Sequence, residues 1–312
     1  MAFLYALPGA VAEGLIWGLM AIGVYISYKI LDIADLTVDG SICTGACVCA
    51  VLLGMGVPPW ASVLVALVAG ALTGVVTGLL HTLLGIPSIL AGILTQLMLY
   101  SVNLLILGGK SLMSIDPRAN QLLVHMRNNP RSIVALGIIV TGTIVVLYLF
   151  FYTQVGLTLK STGDNPDMSR AQGVDVDRNK VIGLAIANGI VAMAGALLAQ
   201  YKGSANINDG RGAIVIALAA IFIGLSVSLK IKPNFVVSLI GVIGGGIVYY
   251  VVYNFVILMG LKTDYLKMLS AIIVALFLGI PYLKTRYFTK YKDLRPSDLA
   301  PQKTGTGGNA DA

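Results

Sequence analysis

Residues 159–178 read LKSTGDNPDMSRAQGVDVDR, a polar island almost midway along a chain of 312 residues that is 57% hydrophobic and only 11% charged. Lys160, Arg170 and Arg178 stand against Asp164, Asp167, Asp175 and Asp177, so charge is dense and nearly balanced. Asn165 is a good N-cap, and Pro166 suits the first helical position, where its missing N–H is no loss. Asp167 places an acid at the positive end of the helix dipole, Arg170 falls in the last turn, and Gly173 supplies a stop. These residues predict a helix near 165–173, about seven residues and roughly 10 Å long. It is too short and too polar to cross a bilayer. A helix of that length is marginal alone in water, so it needs a surface to dock on, either a partner protein or its own bundle.

On both sides of the island the chain is apolar, with a mean hydropathy of +0.88. That lies outside the range of soluble domains and marks an integral membrane protein. A spanning helix needs about 20 mainly apolar residues to cross ~30 Å of hydrocarbon. Apolar runs between polar breaks predict spans at 11–28, 36–54, 60–84, 88–107, 132–152, 181–200, 212–229, 234–257 and 265–282. The expected fold is an all-α, polytopic bundle of about nine transmembrane helices, with a membrane domain over 1–283 and a basic tail over 284–312. From Ser297 the tail is rich in Gly, Ser, Pro, Thr and Asn, the composition of a disordered segment. The first apolar stretch lacks a preceding basic region and contains Glu13, which argues against a cleaved signal peptide.

The net charge of +7 does not point to nucleic acid. Its densest cluster, Lys284, Arg286, Lys290, Lys292 and Arg295, follows the last apolar run directly, as a cytoplasmic anchor does. With the C-terminus inside and an odd number of spans, the N-terminus is outside. Thirteen basic residues then fall inside and eight outside, the expected sign of bias. In this topology the polar island is cytoplasmic, and the protein sits in the plasma (inner) membrane.

The second span is unusual because Asp32, Asp35 and Asp39 stand at or inside its start, with Gly40 and Gly45 close by. A charge within hydrocarbon costs about 2.5–3.5 kcal/mol on insertion scales and belongs against protein or water. Two readings are open: a broken span near 36–54 that lines an internal cavity, or carboxylates at an interfacial helix N-terminus. Gly14 and Gly18, then Gly70, Gly74 and Gly78, recur at four-residue spacing, the pattern that lets membrane helices approach closely. Cys43, Cys47 and Cys49 read as small core side chains, since the chain offers only His81 and His125 toward a metal site and no metal is expected. The sequence GGKS at 108–111 imitates the end of a phosphate-binding loop. The full motif requires Gly at position 104, where Leu104 stands, so no nucleotide site is expected here.

Polar residues inside the predicted spans are the candidates for a translocation path: Asp39, Gln96, Asn103, Tyr249, Tyr253 and Asn254. The alternative for each is a hydrogen bond between helices, worth about 0.6 kcal/mol on average. Tyr249 and Tyr253 share a helix face, suited either to stacking on a substrate ring or to interfacial anchoring.

The run STGDNPDMSRAQGVDVDRNKVIGLAIANGIVAMAGALLAQ resembles the cytoplasmic loop and following span of permease subunits of ATP-binding-cassette importers of the ribose and branched-chain amino acid type. The family form is G-x-N-x-x-x-A-R-x-x-G-[IV]-x-[VT], and Gly163, Asn165, Gly173, Val174 and Val176 match in register. Arg170 stands before Ala171, with Pro166 and Asp167 ahead of both, and Ala194-Gly195 follow in the next span. DLTVDGS, residues 35–41, resembles the family's D-L-S-V-G-S segment with Asp39 added. NINDGRGAIVIALAAIFIGLS resembles its G-x-G-x-x-x-x-A-I-A-A-x-x-x-G-G region, with Leu225 where a second Gly is usual. DLTVDGS and ILTQLMLYSVN together are closest to a subgroup linked to uptake of amino acids, aromatic ones included.

The resemblance implies a role for the short helix. It would be a coupling helix seated in a cleft of a separate ATPase subunit, with Gly163, Asp164, Asn165, Pro166, Asp167, Arg170 and Gly173 forming the coupling site. ATP and Mg would then belong to that ATPase, and this subunit would be no enzyme and hold no cofactor. The implied partners are a second permease copy in a homodimer, two ATPase subunits and an extracytoplasmic substrate-binding protein. The implied substrate is a small polar solute, an amino acid first, with a sugar or nucleoside as the alternative. An ion-coupled secondary transporter is the rival of a different class, and Asp39 would be its one candidate carboxylate well inside a span. A structural or assembly role without transport is a second rival.

Overall fold

The computed structural model describes residues 2–116, 122–126, 129–228 and 234–258, together with isolated positions between 268 and 279. The predicted span at 265–282 and the tail at 284–312 lie outside this contiguous description.

Ten α-helices are present among the described residues. They are α1 (Ala2–Tyr25), α2 (Val38–Gly54), α3 (Pro59–Thr82), α4 (Ser88–Ile106), α5 (Asn129–Phe151), α6 (Gln154–Asp164), α7 (Pro166–Ala171), α8 (Val176–Lys202), α9 (Ala213–Ser228) and α10 (Phe235–Leu258). Six are long and apolar enough to cross a membrane: α1 with the π-helical turn Ile26–Ile30 that extends it, and α3, α4, α5, α8 and α10. Two more expected spans, α2 and α9, form shorter apolar helices of 17 and 16 residues. At 1.5 Å per residue each reaches only about 25 Å, short of the ~30 Å hydrocarbon thickness.

The bundle is organised around α8, which packs against α1, α2 and α3. The glycine stripe on α3 makes this possible. A Cβ on Gly74 would overlap the Leu184 carbonyl, one on Gly70 would reach within 2.5 Å of the Asn188 carbonyl oxygen, and one on Gly78 would lie 2.9 Å from the Val181 Cα. Backbone therefore meets backbone along the α3–α8 seam, where dispersion contacts are densest. The second pair, Gly14 and Gly18, receives α10 at Ile247 and Ile243 in the same way.

Two interruptions bring irregular backbone deep into the bundle. After the π-helical turn, residues 31–37 leave helical geometry, and Asp32 takes a φ of 55°. They fold back beside the middle of α8, where Asp35 accepts hydrogen bonds from Asn188 Nδ2 (2.6 Å) and the Thr37 N–H (2.9 Å). Asn188 Oδ1 in turn accepts from the Ser41 hydroxyl at 2.7 Å. Hydroxyl pairs Ser41–Thr73 (2.7 Å), Thr37–Thr77 (2.7 Å) and Thr77–Thr95 (3.0 Å) tie the segment to α3 and α4. Non-helical backbone is tolerated at this depth because protein surrounds it and partners its polar groups. The break expected near 36–54 thus falls mainly ahead of that segment, at 31–37, and residues 38–54 are a continuous helix.

The second interruption follows α8, which ends at Gly203 in the left-handed conformation (φ 71°). Strand β2 (Ser204–Asn206) pairs antiparallel with β1 (Leu112–Ser114), in the register Leu112↔Asn206, Met113↔Ala205 and Ser114↔Ser204. Residues 207–212 then turn inward to the first residues of α2, and α9 starts there. An all-helical expectation does not include this two-stranded element. It joins the loops after α4 and α8, which are far apart in sequence.

Candidate functional site: an intrabundle cavity and an exposed capped helix

The two interruptions meet at Asp39. This residue lies in the first turn of α2, yet its carboxylate serves α9: Oδ2 accepts from the Gly212 N–H and Oδ1 from the Ile214 N–H, both at 2.9 Å. The first N–H groups of a helix have no partner within it, and an anion there is favoured by the dipole. Asp39 supplies that anion across 173 residues of sequence.

Beside this junction is a cavity of about 410 Å³ lined by Asp39, Gly40, Cys43, Gln96, Leu97, Tyr100, Asn103, Ile207 and Arg211. Of the six path candidates, Asp39, Gln96 and Asn103 come together here. Asn103 is 1% exposed and donates a long 3.5 Å bond to the Gly40 carbonyl. Its Oδ1 is the one fully buried side-chain polar atom without a hydrogen-bond partner among the described residues. Arg211 lies with its guanidinium carbon 5.9 Å from the centre of the Tyr100 ring, a cation–π arrangement.

Tyr100 and Arg211 were not among the path candidates. Tyr100 carried a usable signal, because Gln96, Tyr100 and Asn103 follow one another at four- and three-residue spacing and so share one face of α4. Arg211 lies in a turn bounded by Gly210 and by Gly212, whose φ of 83° requires glycine-like freedom. Those glycines mark a turn, but nothing local says that it points into the bundle.

The other three candidates lie elsewhere. Tyr249 and Tyr253 stack at 6.3 Å, Tyr250 joins them, and Trp17 of α1 stacks on Tyr250 at 5.8 Å. Asn254 donates to the Tyr250 carbonyl of its own helix at 3.1 Å. These residues form an aromatic seam between α1 and α10. The cysteines are free and buried. Cys43 Sγ donates to the Ile207 carbonyl at 3.3 Å and accepts from the Gly210 N–H at 3.1 Å, which holds the inward turn against α2.

The polar island forms an elbow of two helices. Asn165 ends α6 and begins α7, and its side chain accepts from the Met168 N–H at 3.0 Å, as an N-cap should. Gly173, at φ 81°, ends the segment. The preceding helix α6 was not expected. Its signals are Thr153, whose hydroxyl accepts from the Gly156 N–H at 3.3 Å, and Leu159, which it buries.

The elbow has an anchored half and a free half. In α6, a Cβ on Gly163 would overlap the Ile30 carbonyl, so α6 lies directly on the end of the α1 extension. Asn179 of α8 donates to Thr162 at 3.0 Å, and Ser169 donates to Ser161 at 3.3 Å. In α7, by contrast, Pro166, Asp167, Met168 and Arg170 are exposed, as are Asp164 and Asn165 before it and Gly173 after it. Arg170 forms ion pairs with Asp177 at 3.4 Å and, more loosely, with Asp167 at 4.0 Å.

Comparison with known proteins shows the family of the chain. Residues 9–286 match the family described as branched-chain amino acid transport system / permease component. The tyrosine transport system permease protein of Clostridioides difficile (strain R20291) is 36% identical over 268 residues, covering 86% of this chain and 88% of that protein. An uncharacterized protein of Rickettsia prowazekii (strain Madrid E) is 31% identical over 277 residues, covering 88% and 96%. The autoinducer 2 import system permease protein of Escherichia coli (strain K12 / DH10B) is 30% identical over 191 residues, covering 60% and 55%. No solved structure matches. With its apolar helices and a match across most of its length, the chain is a multi-pass inner-membrane protein that belongs to the family of permease components of ATP-binding-cassette importers.

Proposed function

We propose that this subunit forms the translocation path for a small polar solute, an amino acid in the first place, and that α7 is the element through which an ATPase subunit drives it. The observation that carries the reading is the elbow: α7 is capped at both ends, exposed on the face that carries Asp167, Met168 and Arg170, and tied through its one buried residue, Ser169, and through α6 to the bundle. A helix so short gains little from its own hydrogen bonds, and its exposed face offers Asp167, Met168 and Arg170 to a partner. Behind it, Gly163 rests on Ile30, residues 31–37 run from there to the Asp35–Asn188 network, and Asp39 follows at the cavity. A displacement of α6 therefore acts on the same irregular segment that begins α2. Coupling of this kind needs an element with two arrangements that both sites bias.

The working assembly in this reading is a permease homodimer with two ATPase subunits, which hold the ATP and Mg, and an extracytoplasmic substrate-binding protein. Amino acid uptake is favoured by the tyrosine permease relative, which aligns over most of both chains. The autoinducer 2 relative, aligned over a shorter region, is the observation that favours a second reading, in which the solute is sugar-like.

The test is reconstitution in proteoliposomes with the partner ATPase and substrate-binding protein, offering labelled L-tyrosine, L-leucine and D-ribose. ATP-dependent accumulation of an amino acid is expected. Accumulation driven by an ion gradient without any ATPase would overturn the importer reading, and uptake of ribose alone would overturn the choice of substrate.

A further inference from the structure

We propose that the cavity between α2, α4 and the turn before α9 is a binding site for a free α-amino acid, with Arg211 taking the carboxylate and Asn103 the ammonium group. The inference rests on the amino-acid importer reading above and assigns its solute to specific side chains.

Two charged residues line the cavity, and they differ in what they have left to offer. Both oxygens of Asp39 already accept α9 N–H groups. Arg211 is exposed and makes no ion pair among the described residues. Resting against the face of Tyr100, its guanidinium keeps its N–H edge free, and that planar fork matches a carboxylate through two parallel hydrogen bonds.

Asn103 supplies the complementary observation. Buried acceptors in folded proteins nearly always have a partner, yet Asn103 Oδ1 lies buried at the cavity wall with none. A donor carried by the ligand satisfies it. The neighbouring Asp39 carboxylate makes a cationic donor the preferred one, because its negative charge stands in a low-dielectric interior. Leu97, Tyr100 and Ile207 leave an apolar wall for the ligand's side chain. The volume of about 410 Å³ lies within the ~300–1,000 Å³ of small-molecule pockets. A neutral sugar offers Arg211 no carboxylate and Asn103 no charged donor, so this lining favours a zwitterion.

The experiment uses the permease with its ATPase subunits in nanodiscs, without the binding protein, and reads ligand binding by saturation-transfer NMR. The probes are L-tyrosine, L-tyrosinamide, which lacks the carboxylate, 3-(4-hydroxyphenyl)propanoate, which lacks the amine, and D-ribose. L-Tyrosine is expected to bind about 10- to 100-fold more tightly than either truncated probe, the range for losing a hydrogen bond to a charged group. Arg211→Gln lowers tyrosine to the level of tyrosinamide and leaves tyrosinamide unchanged. Asn103→Leu lowers tyrosine to the level of the propanoate, and Asn103→Asp, which keeps an acceptor, retains the preference for the amine. Equal binding of the three aromatic probes to the unaltered complex would overturn the site, as would Arg211→Gln weakening all three alike. If the complete importer accumulates tyrosine while all variants bind it as the unaltered complex does, the site fails and the importer reading stands. If D-ribose binds and tyrosine is neither bound nor accumulated, the substrate reading fails and the site assignment fails with it.

Discussion

Removing the Asp39 carboxylate should loosen α9 before it does anything else. The Gly212 and Ile214 N–H groups each meet one of its oxygens at 2.9 Å, in the first turn of a helix that starts inside the bundle. A hydrogen bond to a charged group is worth about 1.5–3 kcal/mol, so Asp39→Ala costs about 3–6 kcal/mol. Asp39→Asn retains one carbonyl oxygen for one of the two donors and costs about half as much, roughly 1.5–3 kcal/mol. At roughly 2–4 °C per kcal/mol for a chain of this size, the apparent Tm falls by at least about 6 °C for Ala and 3 °C for Asn. The assay is a heating series on the purified complex followed by fluorescence-detected size exclusion. Asp164→Ala, at an exposed position, serves as the control. Indistinguishable midpoints for Asp39→Ala and the control would refute the claim that this carboxylate holds the two shorter helices, α2 and α9, together. A greater loss for Asn than for Ala would mean that α9 requires no acceptor there.

Three further substitutions test the geometry. Gly163→Ala forces a Cβ into the Ile30 carbonyl and should destabilise the complex by about 1–3 kcal/mol, the usual cost of overpacking, detectable in the same heating series. Arg170→Glu breaks only exposed ion pairs, each worth about 0–1 kcal/mol, so it should leave thermal stability almost unchanged. The same variant should uncouple ATP hydrolysis from uptake in proteoliposomes, and normal coupled uptake would remove α7 from the coupling role. Asn188→Leu strips Asp35 of its 2.6 Å donor inside the bundle and should cost about 1.5–3 kcal/mol, which a full-length, unaggregated variant with an unshifted melting midpoint would disprove.

Features governed by contacts a few residues apart were readable from the chain alone. The cap at Asn165, the proline after it and the stop at Gly173 act over single turns, so α7 appears where local rules place it. The positions of the six long apolar helices among the described residues were readable for a similar reason: hydrocarbon thickness sets the length of an apolar run whatever its neighbours. The glycine stripe on α3 announced a close seam without naming α8 as the other side. Helix α6 is less legible because its sequence, QVGLTLKSTGD, has two glycines and few apolar residues, and its main local start signal is the Thr153 cap.

The cavity depended on packing. In lipid both faces of a helix are apolar, so periodicity does not tell which polar side chain turns inward. Gln96 and Asn103 therefore could not be separated in advance from Tyr249, Tyr253 and Asn254, which belong to the α1–α10 seam. Asp39 and Arg211 meet because α2 and α9 both begin deep in the bundle, each after an irregular segment that only the surrounding protein can satisfy. That arrangement arises from hydrogen bonds spanning more than 150 residues, such as Asp35 to Asn188 and Asp39 to Gly212. Local composition fixes where the chain can enter the membrane; the partners available to buried polar backbone decide where it stops and turns.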